Sequence, residues 1–194
     1  MKKFFTLSIF LVAIVAFQFV GTHKAVSYTA GAPAGRTGSP GDNNRTCAQS
    51  GCHTGSASGG SVSINTNIPS SGYVPGQQYN IDVSVMQNGR SKFGFSITSE
   101  DNNHDNVGTF IGTSNVQTVS ASRYASHRSG STAGSDSKTW MFSWTAPSSG
   151  TGNVTFYAAG NATNNNNNAS GDAIYTTSIS VSEDLASGIS TLND

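Results

Sequence analysis

Both cysteines of this 194-residue chain fall in the stretch Thr46-Cys47-Ala48-Gln49-Ser50-Gly51-Cys52-His53-Thr54-Gly55, and an imidazole follows the second thiol directly. Three chemistries suit that arrangement. In the first, Cys47 and Cys52 add across two vinyl groups of haem and His53 takes the iron, as in c-type attachment. The usual motif has two residues between the cysteines, and here there are four. The reaction itself needs only two thiols on a pliable segment and an imidazole fixed beside the second, and Ser50 and Gly51 can absorb the longer loop. In the second, Cys47 and Cys52 close a short disulfide, the default for a cysteine pair in an oxidising compartment. In the third, two thiolates and one or two imidazoles hold zinc. The residues alone leave all three open.

An electron-transferring haem needs a second axial ligand, which directs attention to the other histidines and methionines. His23 belongs to an N-terminal apolar segment. His104 sits in the polar run Asp101-Asn102-Asn103-His104-Asp105, and His127 in Arg123-Tyr124-Ala125-Ser126-His127-Arg128. Taken by itself, His127 reads as a solvated loop residue ahead of the next strand. Met86 and Met141 are alternative thioether ligands. The run from Asp101 to Asn106 lacks the order and closing Glu of a calcium loop and reads as a polar turn. No G-x-S-x-G elbow occurs, and Glu appears only at Glu100 and Glu183, so neither a serine hydrolase nor a paired-carboxylate glycosidase has its parts. No catalytic residue is singled out.

The elements that must hold such a site are strands. From Ser61 onward the apolar period is two: Val62 and Ile64, then Tyr79, Ile81, Val83 and Val85, then Phe93, Phe95 and Ile97. Trp140, Phe142 and Trp144 alternate next, followed by Val154, Phe156 and Ala158, and finally Tyr175, Thr177, Ile179 and Val181. Weaker signals lie at Val107 to Ile111 and Val116 to Val119. Pro75-Gly76 and Asn88-Gly89 supply turns. Seven to nine short strands without an amphipathic helix predict an all-β fold, an immunoglobulin-like antiparallel β-sandwich. The stretch before Ser61 is rich in Gly, Ala, Ser and Pro and reads as a loop-rich N-terminal segment.

Lys2 and Lys3 precede an apolar run from Phe4 to Val20, and Ala25-Val26-Ser27 follows with small residues. This is the pattern of an export signal cleaved before Tyr28, the alternative being a retained single-span anchor. No cysteine follows the run, so a lipid anchor is not expected. Removing Lys2, Lys3 and Lys24 leaves seven basic against ten acidic residues. That balance, with no basic cluster, excludes a nucleic-acid partner. The organisation expected is a signal peptide at 1–27, a Gly/Pro-rich loop with the Cys-His motif at 28–60, a β-sandwich at 61–182 and a flexible tail at 183–194.

Several blocks together resemble a known family. They are Gly31 to Asp42, Thr46 to Gly55, Phe93-Gly94-Phe95, Trp140 to Pro147, Gly152 to Asn161, and Gly171-Asp172 to Thr177. These resemble the choice-of-anchor V domain, a Reelin-domain-like β-sandwich of secreted and cell-surface bacterial proteins. The resemblance spans about Ala30 to Ser182. It implies a Reelin-type sandwich, and it implies that Cys47, Cys52 and His53 bind haem c with His127, three residues after Tyr124, as the other axial ligand. Trp140, Tyr124 or Phe side chains would pack around it. The departure is the longer loop between the cysteines, and a C-terminal sorting domain is not expected. The function expected is electron transfer or redox sensing by a secreted or cell-surface protein with an unidentified redox partner or surface ligand. It would have no membrane span after signal cleavage. The alternative is an adhesion or carbohydrate-binding module stapled by a Cys47 to Cys52 disulfide, its Asn161 to Asn168 loop facing a glycan.

Overall fold

Period-two alternation places one row of each strand in a shared core, and the result is two packed sheets. The computed structural model describes residues 30–49, 52–55, 57–166 and 168–184. The signal segment expected at 1–27, the cleavage point before Tyr28 and the tail beyond Asp184 lie outside the described residues.

Among the described residues there are nine strands. They are β1 Gly60–Thr66, β2 Gln78–Gln87, β3 Lys92–Glu100, β4 Thr109–Ile111, β5 Val116–Val119, β6 Tyr124–His127, β7 Ser137–Thr145, β8 Val154–Thr163 and β9 Ala173–Val181. One sheet has the order β1-β2-β7-β4, the other β5-β6-β3-β8-β9. Every strand pairing is antiparallel. The all-β antiparallel sandwich expected from the alternation is thus the fold observed.

The inward rows are the predicted ones. Ile81, Val83 and Val85 of β2 face Phe93, Phe95 and Ile97 of β3, all at most 1% exposed. Phe95 lies 4.8 Å from the Trp140 ring and 5.6 Å from Phe142, so the middle of β7 packs directly on the middle of β3. β3 is buried on its other side as well: Gly94, Ser96 and Thr98 are also inaccessible. A strand buried on both faces needs a cover, and here the cover is the N-terminal segment lying over the five-stranded sheet.

Two expectations require correction. The segment Tyr124 to His127 is a strand, fully buried, and His127 is only 8% exposed rather than a solvated loop residue. Four residues are too few to display a period, and their burial comes from the neighbours β3 and β5 rather than from their own composition. At the other end the chain does not detach at Ser182. Glu183 is buried, Tyr73 donates its N–H to the Ser182 carbonyl, and Asp184 donates its own to the carbonyl of Tyr73.

Candidate functional site

The N-terminal segment crosses the outer face of the five-stranded sheet between two anchors. The first is polar. Asp42 accepts hydrogen bonds from the Thr37 hydroxyl at 2.5 Å and from the Tyr124 hydroxyl at 2.7 Å, while the Gly41 N–H donates to Glu100 at 3.2 Å. Gly41 has to be glycine, because a Cβ there would sit 2.5 Å from the Glu100 carboxylate and from the His104 carbonyl. The second anchor is backbone pairing. Thr54 donates to the Ala169 carbonyl at 2.7 Å and accepts from the Gly171 N–H at 2.6 Å.

Between these anchors lie the cysteines. The His53 N–H donates to the Cys47 carbonyl at 3.1 Å and the Cys52 N–H to Gln49 at 2.9 Å, so the motif folds back on itself. Both thiols are half-buried and unbonded to each other. Burial pushes the Cys47 thiol up to about 11, the Cys52 charge adds to that, and nearby Arg36 opposes it. Cys47 is therefore a protonated thiol at neutral pH.

His53 turns Nδ1 toward Asp172, 2.6 Å from Oδ2, and its ring lies 3.3 Å from the side-chain amide of Asn161. Asp172 is 2% exposed and is itself held by the Asn164 N–H at 3.0 Å. His127 ends β6 with Nδ1 against the Phe95 backbone, 3.1 Å from the amide nitrogen, and its ring centroid is 6.4 Å from that of Trp140. The ring occupies the place of a missing side chain: a Cβ on Gly94 would meet His127 Cε1 at 2.8 Å. Gly94 pairs in register with Asn161, so the two histidines approach neighbouring points on β3 and β8.

Cys47, Cys52, His53 and His127 line one small pocket of about 40 Å³, together with Ala32, Arg36, Gly94 and Asn161. His53, Gly94, His127 and Asn161 also line a larger cleft of about 320 Å³ walled by Lys92, Thr132 and the Asn-rich loop. Two buried polar atoms beside the smaller pocket, Arg36 Nε and Asn161 Oδ1, have no hydrogen-bond partner. Among the described residues, no three His, Cys, Asp or Glu side chains converge closely enough to hold a single metal ion.

The other candidates lie elsewhere. Met86 and Met141 are 51% and 62% exposed on strands of the four-stranded sheet, away from the thiols. His104 is exposed beside Glu100 at 3.9 Å. The polar turn after Glu100 is organised by Asp101, whose carboxylate accepts the N–H groups of Asn103 and Asp105.

Residues 45–165 match the Reeler domain. The chain belongs to the Reeler domain family. The matched stretch opens just before Cys47 and includes His53 and His127, while Asp42 and Asp172 lie outside it. Among solved structures, the human F-spondin reeler domain is similar at 18% identity over 68% of this chain and 93% of that one, with a TM-score of 0.45. The Reelin-N domain of F-spondin is similar at 21% identity over 68% and 90%, with a TM-score of 0.46. A DUF4466 family protein from Parabacteroides merdae shares 10% identity over 60% and 43%, with a TM-score of 0.35. No curated protein matches. No helix among the described residues of this Reeler domain is long and apolar enough to cross a membrane.

The sequence places Gly94, Asp172, Arg36 and Asn161 only within blocks of resemblance or the polar loop, and, Gly94 apart, it gives no sign of the contacts each makes here or of the Asp42 to Tyr124 anchor. One signal for Gly94 was present: a glycine inside a strand, between Phe93 and Phe95, marks the close approach of another group. Asp172 had none, because its partner lies 119 residues away.

Proposed function

We propose that this Reeler domain is exported to the cell surface or beyond, binds one c-type haem through Cys47 and Cys52, and serves electron transfer or redox sensing. His53 and His127 would hold the iron. The observation that carries the reading is the meeting of both thiols and both imidazoles around one pocket, although His127 belongs to a strand far along the matched stretch from the other three. The donor set fits that group: two thiols on one loop, one imidazole beside the second thiol, and another across the pocket. Two polar atoms in the wall, Arg36 Nε and Asn161 Oδ1, are left without partners and would be available to a bound group. Cofactor clefts run to about 300–1,000 Å³, so a macrocycle would need both the small space and the adjoining cleft.

When bound, haem would supply a one-electron iron centre whose potential depends on its ligands and surroundings. The chain's own contribution is to hold those ligands. Phe95 and Gly94 orient His127, the Thr54 pairing positions His53, and Phe95 with Trp140 keep one side dry.

Expression in cells with a c-type maturation system tests this. The purified protein is expected to show a Soret band and the added mass of one haem that survives denaturation, and Cys47→Ala or Cys52→Ala is expected to break one thioether bond. A protein with no added mass, whose thiols appear only after reductant, overturns the reading in favour of the stapled adhesion module.

A further inference from the structure

We infer that Asp172 is a positioning residue for His53, and that its charge holds the iron site at a low reduction potential. This rests on the haem reading above. An ionised carboxylate only accepts hydrogen bonds, so the 2.6 Å contact places the imidazole proton on Nδ1 and leaves Nε2 as the acceptor, which the Asn161 side-chain amide faces at 3.3 Å in a contact that iron would replace.

Positioning alone would require no charge, since a backbone carbonyl fixes a tautomer equally well. Asp172 brings a carboxylate into a site where it is 2% exposed, and among the described residues its only ion-pair partner is His53. A buried charge without a cation is costly, and the strongest relief available to it here is the imidazole proton. The chain invests in keeping it there. The Asn164 N–H holds the second oxygen, and Gly55 leaves out a Cβ that would fall 1.7 Å from the Asp172 carbonyl oxygen. A carboxylate drawing on Nδ1–H makes the ligating nitrogen more basic, and a more basic ligand favours ferric over ferrous iron.

The test uses the holoprotein with Asp172→Asn, which keeps the shape and removes the charge, and Asp172→Glu, which restores it. The midpoint potential is expected to rise in the Asn variant and to return toward wild type with Glu. The ferric electron paramagnetic resonance spectrum is expected to show a narrow spread of g values in wild type that widens in the Asn variant. A haem-loaded Asn variant with wild-type potential overturns the inference while leaving the haem reading intact. If that variant does not accumulate, the wild-type spectrum decides alone: the wide spread of two neutral imidazoles overturns the inference. A wild-type protein without a Soret band overturns both.

Discussion

At Gly94 the absence of a side chain is as specific as any ligand. The His127 ring rests where a Cβ would be, 2.8 Å from its Cε1, and the Trp140 ring stands 6.4 Å away, centroid to centroid. Gly94→Ala is therefore expected to push His127 away from the Phe95 backbone and to cost about 1–3 kcal/mol, the usual penalty for an overpacked core. Chemical denaturation reads the stability loss, and the imidazole resonances of His127 read the displacement. An unchanged His127 environment in that variant would show that the ring does not depend on the glycine. The pairing of Gly94 with His127 was half legible in sequence. The glycine inside a strand was visible, but the histidine it accommodates lies 33 positions further on.

At the scale of elements, the segments least visible in the alternation are the ones that build the site. β2, β3 and β7 were readable because each has one apolar and one polar row. β6 was not, because its four residues are all buried and include Ser126 and His127. The N-terminal segment was legible only as a loop, since what orders it is a set of single polar contacts, Asp42 to Tyr124 and Gly41 to Glu100, that leave no period. The far end of the sandwich uses the same device. Glu183 accepts the N–H groups of Gly150 at 2.9 Å and Gly152 at 2.8 Å, which fastens the loop between β7 and β8 to the end of β9. Desolvation raises the Glu183 carboxyl, but those N–H groups and the Ser149 hydroxyl outweigh it and hold it below its ordinary 4.5. Because the folded-state value is the lower one, the contribution to stability is complete above about pH 4.5 and is lost as pH falls through the lowered value. The melting temperature of wild type is expected to exceed that of Glu183→Gln at neutral pH, and the two are expected to converge on acidification. A constant gap across that range would show that the charge of Glu183 is not what holds the loop.

At the scale of the whole molecule, the sandwich is a frame that brings three distant stretches to one end of β3 and β8. The fold class could be read because it depends on many repeated apolar pairs. The assembled site could be read only as residue types, because each of its contacts is a single long-range event. His53 meets Asp172 across 119 residues, and Asn161 meets His53 across 108. Each such contact closes a long stretch of chain at an entropic cost that the finished sandwich offsets, whereas Cys47, Cys52 and His53 are neighbours in any conformation. Assembly therefore has a built-in order in time. The thiols and first imidazole are available on a chain that has not folded, while His127 and Asp172 arrive only with the finished sandwich. On the proposed haem reading, covalent capture is expected to proceed in His127→Ala and Asp172→Ala at wild-type yield, measured as haem mass per chain, with the defect appearing afterwards in the spectrum. Folding would then act as the final check on loading, since a chain closed over two unreacted thiols has only about 40 Å³ beside them.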